Sequence, residues 1–418
     1  MKRYLFLILL IATCSLSVMG QSYYTFSSEM SRIAERTRFK IGPFRLYPTF
    51  SIRNIGYDDN VYYRREQDDP ISDYTATLSP EIQVNVLFRN YLILSFTENP
   101  AYLFYFNQTR ERSWNNSLSS QFKLLLFNRF VLTGSYDHSS RKIRATSEFS
   151  ARIHTIDSRY RMGLYYETPR QTALGLSASS GRLSYGNESL EDQNILYNRA
   201  LGRREKAVEL EFYYRIFSES SLFMNLGYSE YNFNDPGYRW RDAHSYHFDV
   251  GIRFPLMGRM QGLLSVGYRK MIPEEEGRKS FSGFSGNGEI EYRFNRFRFR
   301  LAYGRNNRFS YFTDTVYFTE QRIGGGISFY LTRFLRLSYD IRYGENQYPE
   351  SVDITLPGGS TFGLRRKDFY RTHTFGFAFR VVGSTGIGFD VDWWERSSNY
   401  YFEERNRYFV GVSITQDF

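Results

Sequence analysis

The sequence predicts an all-β protein, a transmembrane antiparallel β-barrel of about eighteen strands, with sixteen as the fallback. Three observations predict it. Apolar and polar residues alternate with period two along most of the chain. The connections alternate between short turns and long polar loops. Tyr 36, Phe 38 and Trp 4 make 19% of the 418 residues, yet mean hydropathy is −0.50. Disordered chains are poor in aromatics, so disorder is excluded. Helical membrane spans need ~18 consecutive apolar residues. After residue 20 the longest apolar run is Ala101–Phe106. A single Cys excludes a disulfide scaffold and a cysteine-ligated metal site.

The first element is a predicted signal peptide over residues 1–20. Lys2 and Arg3 form its positive end, Tyr4 to Val18 its apolar stretch, and Val18-Met19-Gly20 its cleavage site before Gln21. Its removal takes Cys14 away and lowers the net charge from +10 to +8, since Lys2 and Arg3 leave with it. Residues 21–40 form an N-terminal segment, periplasmic or lumenal, in which Ser27 to Arg36 suit a short serine-capped helix. Residues 41–418 form the barrel.

Alternation marks each strand. In Phe297-Arg298-Phe299-Arg300-Leu301-Ala302-Tyr303 the odd positions are large and apolar, and the even ones are basic or small. Leu335 to Tyr343 and Phe248 to Phe254 repeat the rule. Successive side chains point to opposite faces, so each strand has an apolar and a polar side. Strand centres fall near Phe50, Val84, Leu94, Leu124, Leu132, Leu164, Leu174, Leu210, Leu226, Val250, Val266, Ile290, Leu301, Ile327, Leu337, Phe377, Phe389 and Val412.

Short connections occur at Arg89-Asn90, Asn128-Arg129, Thr168 to Arg170, Ser218 to Ser220, Asn295-Arg296, Thr332-Arg333 and Gly383-Ser384. Long ones are expected at Asp58–Asp73, Asn107–Asn115, Gly186–Arg204, Asn234–Asp242, Pro273–Lys279, Glu345–Lys367 and Arg396–Arg405. An even strand number with short periplasmic turns and long extracellular loops fits an outer-membrane barrel. Such a barrel leaves no backbone edge unpaired in lipid. The last strand alternates and stops at Phe418, which resembles the signal read by the outer-membrane assembly machinery.

Tyr and Trp prefer the membrane interface. Tyr62-Tyr63, Tyr165-Tyr166, Tyr213-Tyr214, Tyr311-Phe312, Trp393-Trp394 and Tyr400 to Phe402 therefore suit interfacial girdles. Inward-facing Tyr213, Trp394 and Phe409 form the competing expectation, a sugar-stacking track.

Ile41-Gly42-Pro43-Phe44-Arg45-Leu46-Tyr47-Pro48, then Gly56-Tyr57-Asp58-Asp59-Asn60-Val61-Tyr62, then Ser72-Asp73 and Leu78-Ser79-Pro80 carry a family resemblance. They resemble the outer-membrane β-barrel porins associated with bacterial exopolysaccharide export. The specific words lie in residues 41–80. The resemblance implies an outer-membrane barrel serving polysaccharide secretion, with periplasmic export components as partners.

Alternation assigns the lumen charges. The leading basic residues are Arg298, Arg300, Arg336, Arg342, Arg253 and Arg215, joined by Lys123, Arg159, Arg161, Arg269, Arg293 and Arg380. The acidic set is Glu209, Glu211, Asp249, Glu289, Glu291 and Asp340, with Glu81, Asp390 and Asp392. The balance, 12 − 9, is +3 and suggests a weak preference for anions. Cross-strand pairing of Glu289/Glu291 with Arg298/Arg300 is the bland alternative.

Signs of an enzyme are thin. His138-Ser139 and His244-Ser245 are strand neighbours and point apart. His247 and Asp249 share a face, which strand spacing produces by chance. Asp58-Asp59-Asn60 lacks the spaced ligands of a calcium loop and reads as a solvated turn. No cofactor, metal or nucleic acid is implied. The expectation is a passive outer-membrane channel in lipid and lipopolysaccharide, with exopolysaccharide as cargo. The alternatives are a general solute porin, or a structural or adhesive barrel binding partners through its loops.

Overall fold

A computed structural model describes residues 25–37, 39–144, 146–148, 152–186, 197–217, 220–256, 259–312, 315–355, 361–381, 384–399 and 404–417. The predicted signal peptide and Phe418 lie outside these residues.

After helix α1 (Phe26–Arg36), a three-residue strand β1 (Phe39–Ile41) pairs with the first long strand. The wall follows in chain order: β2 (Phe44–Asp58), β3 (Asp73–Phe88), β4 (Leu92–Tyr105), β5 (Ser113–Leu126), β6 (Phe130–Ile143), β7 (Ile153–Glu167), β8 (Ala173–Tyr185), β9 (Arg203–Arg215) and β10 (Ser221–Phe233). It continues with β11 (Ala243–Leu256), β12 (Met260–Pro273), β13 (Phe281–Phe294), β14 (Phe297–Phe309), β15 (Tyr317–Tyr330), β16 (Leu335–Thr355), β17 (Thr361–Arg380), β18 (Thr385–Ser398) and β19 (Arg405–Asp417). A short helix α2 (Tyr197–Leu201) precedes β9. Each wall strand pairs antiparallel with its neighbours, and β19 pairs with β2 from Phe409↔Asp58 to Asp417↔Thr49. The eighteen strands β2–β19 therefore close into a barrel, and each expected strand centre falls in its own strand.

The alternation explains the wall. Phe297, Phe299, Leu301 and Tyr303 are exposed on the outside. Arg298 and Arg300, between them, turn to the interior face. The same parity holds in β16, where Leu337, Ile341 and Tyr343 face out. One end of the barrel carries tight turns. Phe127 and Asn128 both have positive φ (49° and 58°), the backbone that joins twisted strands in two residues. The other end carries the long connections, and the two ends are called here the turn end and the loop end.

Two expectations about loops are corrected. Glu345–Lys367 is not a loop: β16 and β17 run on through most of it, paired to Thr355↔Thr361 with a register shift between Gln347 and Ser351. The extension holds because Tyr348, Arg366 and Asp368 are buried by inward contacts. Connections at 144–152 and 310–316 were not foreseen. With them, long and short connections alternate around the ring except at β16–β17, where the strands themselves lengthen instead.

Adjacent aromatics split between the two faces. Tyr166 and Tyr214 are outside, whereas Tyr165 and Tyr213 are buried inside. Trp393 stacks outside on His373 and Tyr408, while Trp394 is buried against Tyr63. Period two requires this split, so each such pair gives one ring to the outer wall at most. The inward rings do not form a track either. Tyr213 lies at the turn end and Trp394 at the loop end, each packed into a separate cluster.

Candidate functional site: the occupied barrel interior

Two inserted elements sit inside the wall, one at each end. At the turn end lies α1. Its apolar residues Phe26 and Ile33 are buried against Ile93, Val131, Tyr165, Ala173 and Tyr213, all inward residues near the turn ends of β4, β6, β7, β8 and β9. Removing such side chains from water is the main force holding the helix there. Polar contacts fix its direction. The Phe26 amide donates to Glu167 Oε1 at 2.9 Å, Lys123 pairs with Glu29, and Tyr47 OH donates to the Ile33 carbonyl at 3.1 Å. The expected serine cap does not form. Thr25 is the N-cap residue and makes no side-chain cap bond, while Glu29 supplies the acidic group of the first turn.

At the loop end, the connection between β6 and β7 folds inward and reaches the far side of the ring. Ser147 Oγ donates to Asn346 Oδ1 of β16 at 3.0 Å. Glu148 is 1% exposed. Its Oε1 accepts from Ser310 Oγ at 2.7 Å and its Oε2 from the Tyr311 amide at 3.1 Å. Arg396 of β18 donates to its carbonyl at 2.8 Å. Burial, with Asp368 nearby, pushes the Glu148 carboxyl up to about 7, although the bonds from Ser310, Tyr311 and Tyr348 oppose the rise.

Around Glu148 the charges are paired. Asp368 is fully buried and accepts from Arg396 at 2.7 Å, Arg366 at 2.9 Å, Tyr348 OH at 3.1 Å and Ser398 Oγ at 2.6 Å. A buried carboxylate is tolerable because its lone pairs are met in this way. The flanks of the inserted connection are held by arginines. Arg144 lies 3.9 Å over the Tyr63 ring and 4.6 Å over Trp394. Arg152 approaches Asp58 at 4.0 Å. Asp58 also takes a two-pronged grip from Arg407 at 2.7 and 2.8 Å, and Asp59 accepts from the Tyr408 amide. The Asp58-Asp59-Asn60 stretch is therefore no solvated turn. It is a clasp across the β19–β2 seam that closes the ring.

The other half of the loop end is apolar. Ile153, Tyr185, Leu201, Phe233, Met271, Phe281, Phe309, Tyr311 and Tyr317 pack as one cluster. Buried Arg241 ties three connections together by donating to the carbonyls of Ala200, Ser310 and Phe312.

The sequence-assigned lumen charges fall as follows. Arg298 lies 3.4 Å from Glu291, and Arg293 pairs with the same carboxylate at 2.7 Å. Arg300 reaches past β15 to Asp340, so Glu289/Glu291 is not its partner. Glu209 pairs with Arg161. Glu211 is buried and accepts from Tyr165 OH at 3.0 Å, Tyr213 OH at 2.7 Å and Ser177 Oγ at 2.7 Å. Arg215 donates to Gln171 at the turn. Arg253, Arg336 and Arg342 sit on the interior parity of β11 and β16.

His247 Nε2 lies 3.9 Å from Asp249. Ser285 donates to Asp249, not to the imidazole, at 3.4 Å. That order is the reverse of a nucleophile held by a base. Cross-strand serine–histidine contacts do exist, at His138–Ser158 (2.9 Å) and Ser140–His154 (3.0 Å). Reading only sequence neighbours overlooked them. They lie on the outer parity of β6 and β7, outside the lumen.

Glu148 and its segment are what sequence reasoning missed at the site. The available signal was the stretch Arg141-Lys142-Ile143-Arg144-Ala145-Thr146-Ser147-Glu148, which breaks the alternation between two clear strands.

Solved structures resemble this fold. OpdK (OccK1) of Pseudomonas aeruginosa, an outer-membrane protein, aligns with a TM-score of 0.51 at 10% identity over 89% of this chain and 99% of that one. OpdQ of the same organism aligns at 0.50, with 8% identity over 89% and 98%. No curated protein matches the sequence. The family model described as "Putative beta-barrel porin 2" matches residues 37–369. The protein is a porin-like β-barrel of the bacterial outer membrane. Its match over most of its length shows that the chain belongs to the "Putative beta-barrel porin 2" family.

Proposed function

We propose that the barrel is a passive channel for small hydrophilic solutes, with a weak preference for anions, narrowed at its loop end by residues 146–148 of the β6–β7 connection. The observation that carries this reading is the cross-lumen placement of Glu148, bonded to Ser310 and Tyr311 from the facing side of the ring. An inward-folded connection sets the size of what passes, while the closed wall stays rigid. The loop end faces outward and the turn end faces the periplasm, as short turns do in such barrels. Lipid and lipopolysaccharide surround the apolar band, and the assembly machinery inserts it.

Exopolysaccharide secretion is the second reading, favoured by the family resemblance at residues 41–80. A polymer strand needs a continuous bore, so this reading requires α1 and residues 146–148 to move aside together.

Single-channel recording in planar bilayers tests the proposal. The wild type should conduct, and Ser147→Ala with Glu148→Ala should raise its conductance. A folded barrel that never conducts would point to the structural or adhesive alternative. Steady conductance of small ions with no passage of acidic oligosaccharide would set the secretion reading aside.

A further inference from the structure

The charged residues inside the wall are sorted along the barrel axis, which their simple sum conceals. At the turn end of β11–β17, the basic interior positions near the turns are Arg253, Arg293, Arg298, Arg336 and Arg380, with uncharged Leu263 and Ser328 between them on β12 and β15. Two carboxylates accompany them: Glu291, which Arg293 and Arg298 share, and Glu289, in register with Arg253 through Leu263. Glu209, Glu211, Asp249, Asp340 and Asp390 all lie further from the turns. The opposite half of the same rim, from β3 to β10, is mainly apolar, with Lys123, Glu167 and Arg215 as its charged members, and α1 covers it through Phe26, Met30 and Ile33 against Leu87, Ile93, Leu125, Val131, Tyr165 and Phe223.

We propose that α1 and this arginine arc together form an anion-selecting entrance at the turn end. The inference rests on the channel reading and deepens it. The helix fills the half of the mouth that would pass solutes without regard to charge. What remains open is bounded by guanidinium groups. Arginine stays charged at any working pH and offers several donors to a carboxylate or phosphate. A narrow, one-sign passage with low-dielectric walls concentrates the counter-ion. The recognised class is therefore a small solute carrying a carboxylate or phosphate. Two features give the device its geometry: the 11-residue helix is about 16 Å long, and Lys123–Glu29 and Glu167 hold it on the apolar side.

The test uses the full chain in planar bilayers under a KCl gradient, with heat-modifiable gel mobility as the check of folding. Wild type should show an anion-over-cation permeability ratio above one that declines as salt rises, because a Debye length of ~10 Å at 0.1 M shortens with ionic strength. Arg298→Gln with Arg336→Gln should bring the ratio toward one. Phe26→Ser with Ile33→Ser, which frees the helix, should raise conductance and lower the ratio together. An unchanged ratio in the arginine variant overturns the proposal. So does a helix variant that conducts more at the wild-type ratio, or one that alters neither quantity. A silent wild-type barrel would instead overturn the channel reading, and this one with it.

Discussion

Glu148 should make docking of the inserted connection depend on pH. The relevant perturbation is Glu148→Gln. In the docked state the carboxyl titrates at about 7 rather than at its ordinary 4.5. One pH unit is about 1.4 kcal/mol, so the gap amounts to roughly 3 kcal/mol. The sign follows from linkage. A docked acid with a raised pKa holds its proton more tightly than the undocked one, so docking is favoured most below 4.5. It weakens as pH rises and levels off above about 7. The groups packed on Glu148 are Ser310, Tyr311, Tyr348, Asp368 and Arg396, and the neighbouring Asp368 adds to the rise. Wild-type channels should therefore dwell in their narrow state at pH 5 and open more often at pH 8. Glutamine keeps the shape without the charge, its Oε1 accepting from the Tyr311 amide and its Nε2 donating to Ser310 Oγ, so the variant should stay narrow at both values. Hydrogen exchange at residues 146–148 should follow the same pattern. A variant whose gating still responds to pH as the wild type does would refute the assignment.

Other perturbations have distinct readouts. Arg396→Met leaves buried Asp368 and the Glu148 carbonyl short of a donor. It should destabilise the barrel by about 3–5 kcal/mol, seen as a lower temperature for loss of the fast-migrating gel form. Gly56→Ala places a Cβ onto the Val410 carbonyl at the β19–β2 seam. A cost of about 1–3 kcal/mol should appear as poorer closure, measured by folded yield in lipid vesicles. Leu301→Arg and Ala302→Arg separate the two faces. Leu301 is 62% exposed on the outer side, so its change should cost about 2–4 kcal/mol in a bilayer. The Ala302 change, one residue along, should cost far less, and equal losses would contradict the assigned parity.

The wall was legible because its cause is local. A strand facing lipid on one side and water on the other must alternate, and Phe297 to Tyr303 cannot satisfy both media otherwise. The loop end was not legible for the opposite reason. Tyr311 and Val316 are apolar because they fold inward and are buried, so the segment does not look like a loop. The same holds for Tyr348 and Asp368, which carry β16 and β17 past the expected loop boundary. For α1, the stretch Ser27 to Arg36 foretold a helix. Its position depended on an apolar half-rim assembled from β3–β10, which no local window contains.

The same contrast decides where function resides. Every strand of the closed wall is hydrogen-bonded to two neighbours, so the wall has few cheap ways to move. An inserted element is held differently. The 146–148 stretch depends on a few hydrogen bonds and one carboxyl of shifted affinity, and α1 on a small apolar patch, the Lys123–Glu29 ion pair and the hydrogen bonds to Glu167 and Tyr47. Contacts of that kind correspond to low-stability units that open without global unfolding. Gating should therefore appear as changes at residues 25–37 and 146–148 while strand amides stay protected. Hydrogen exchange that opened the strands as readily as these two elements would show that the wall itself moves.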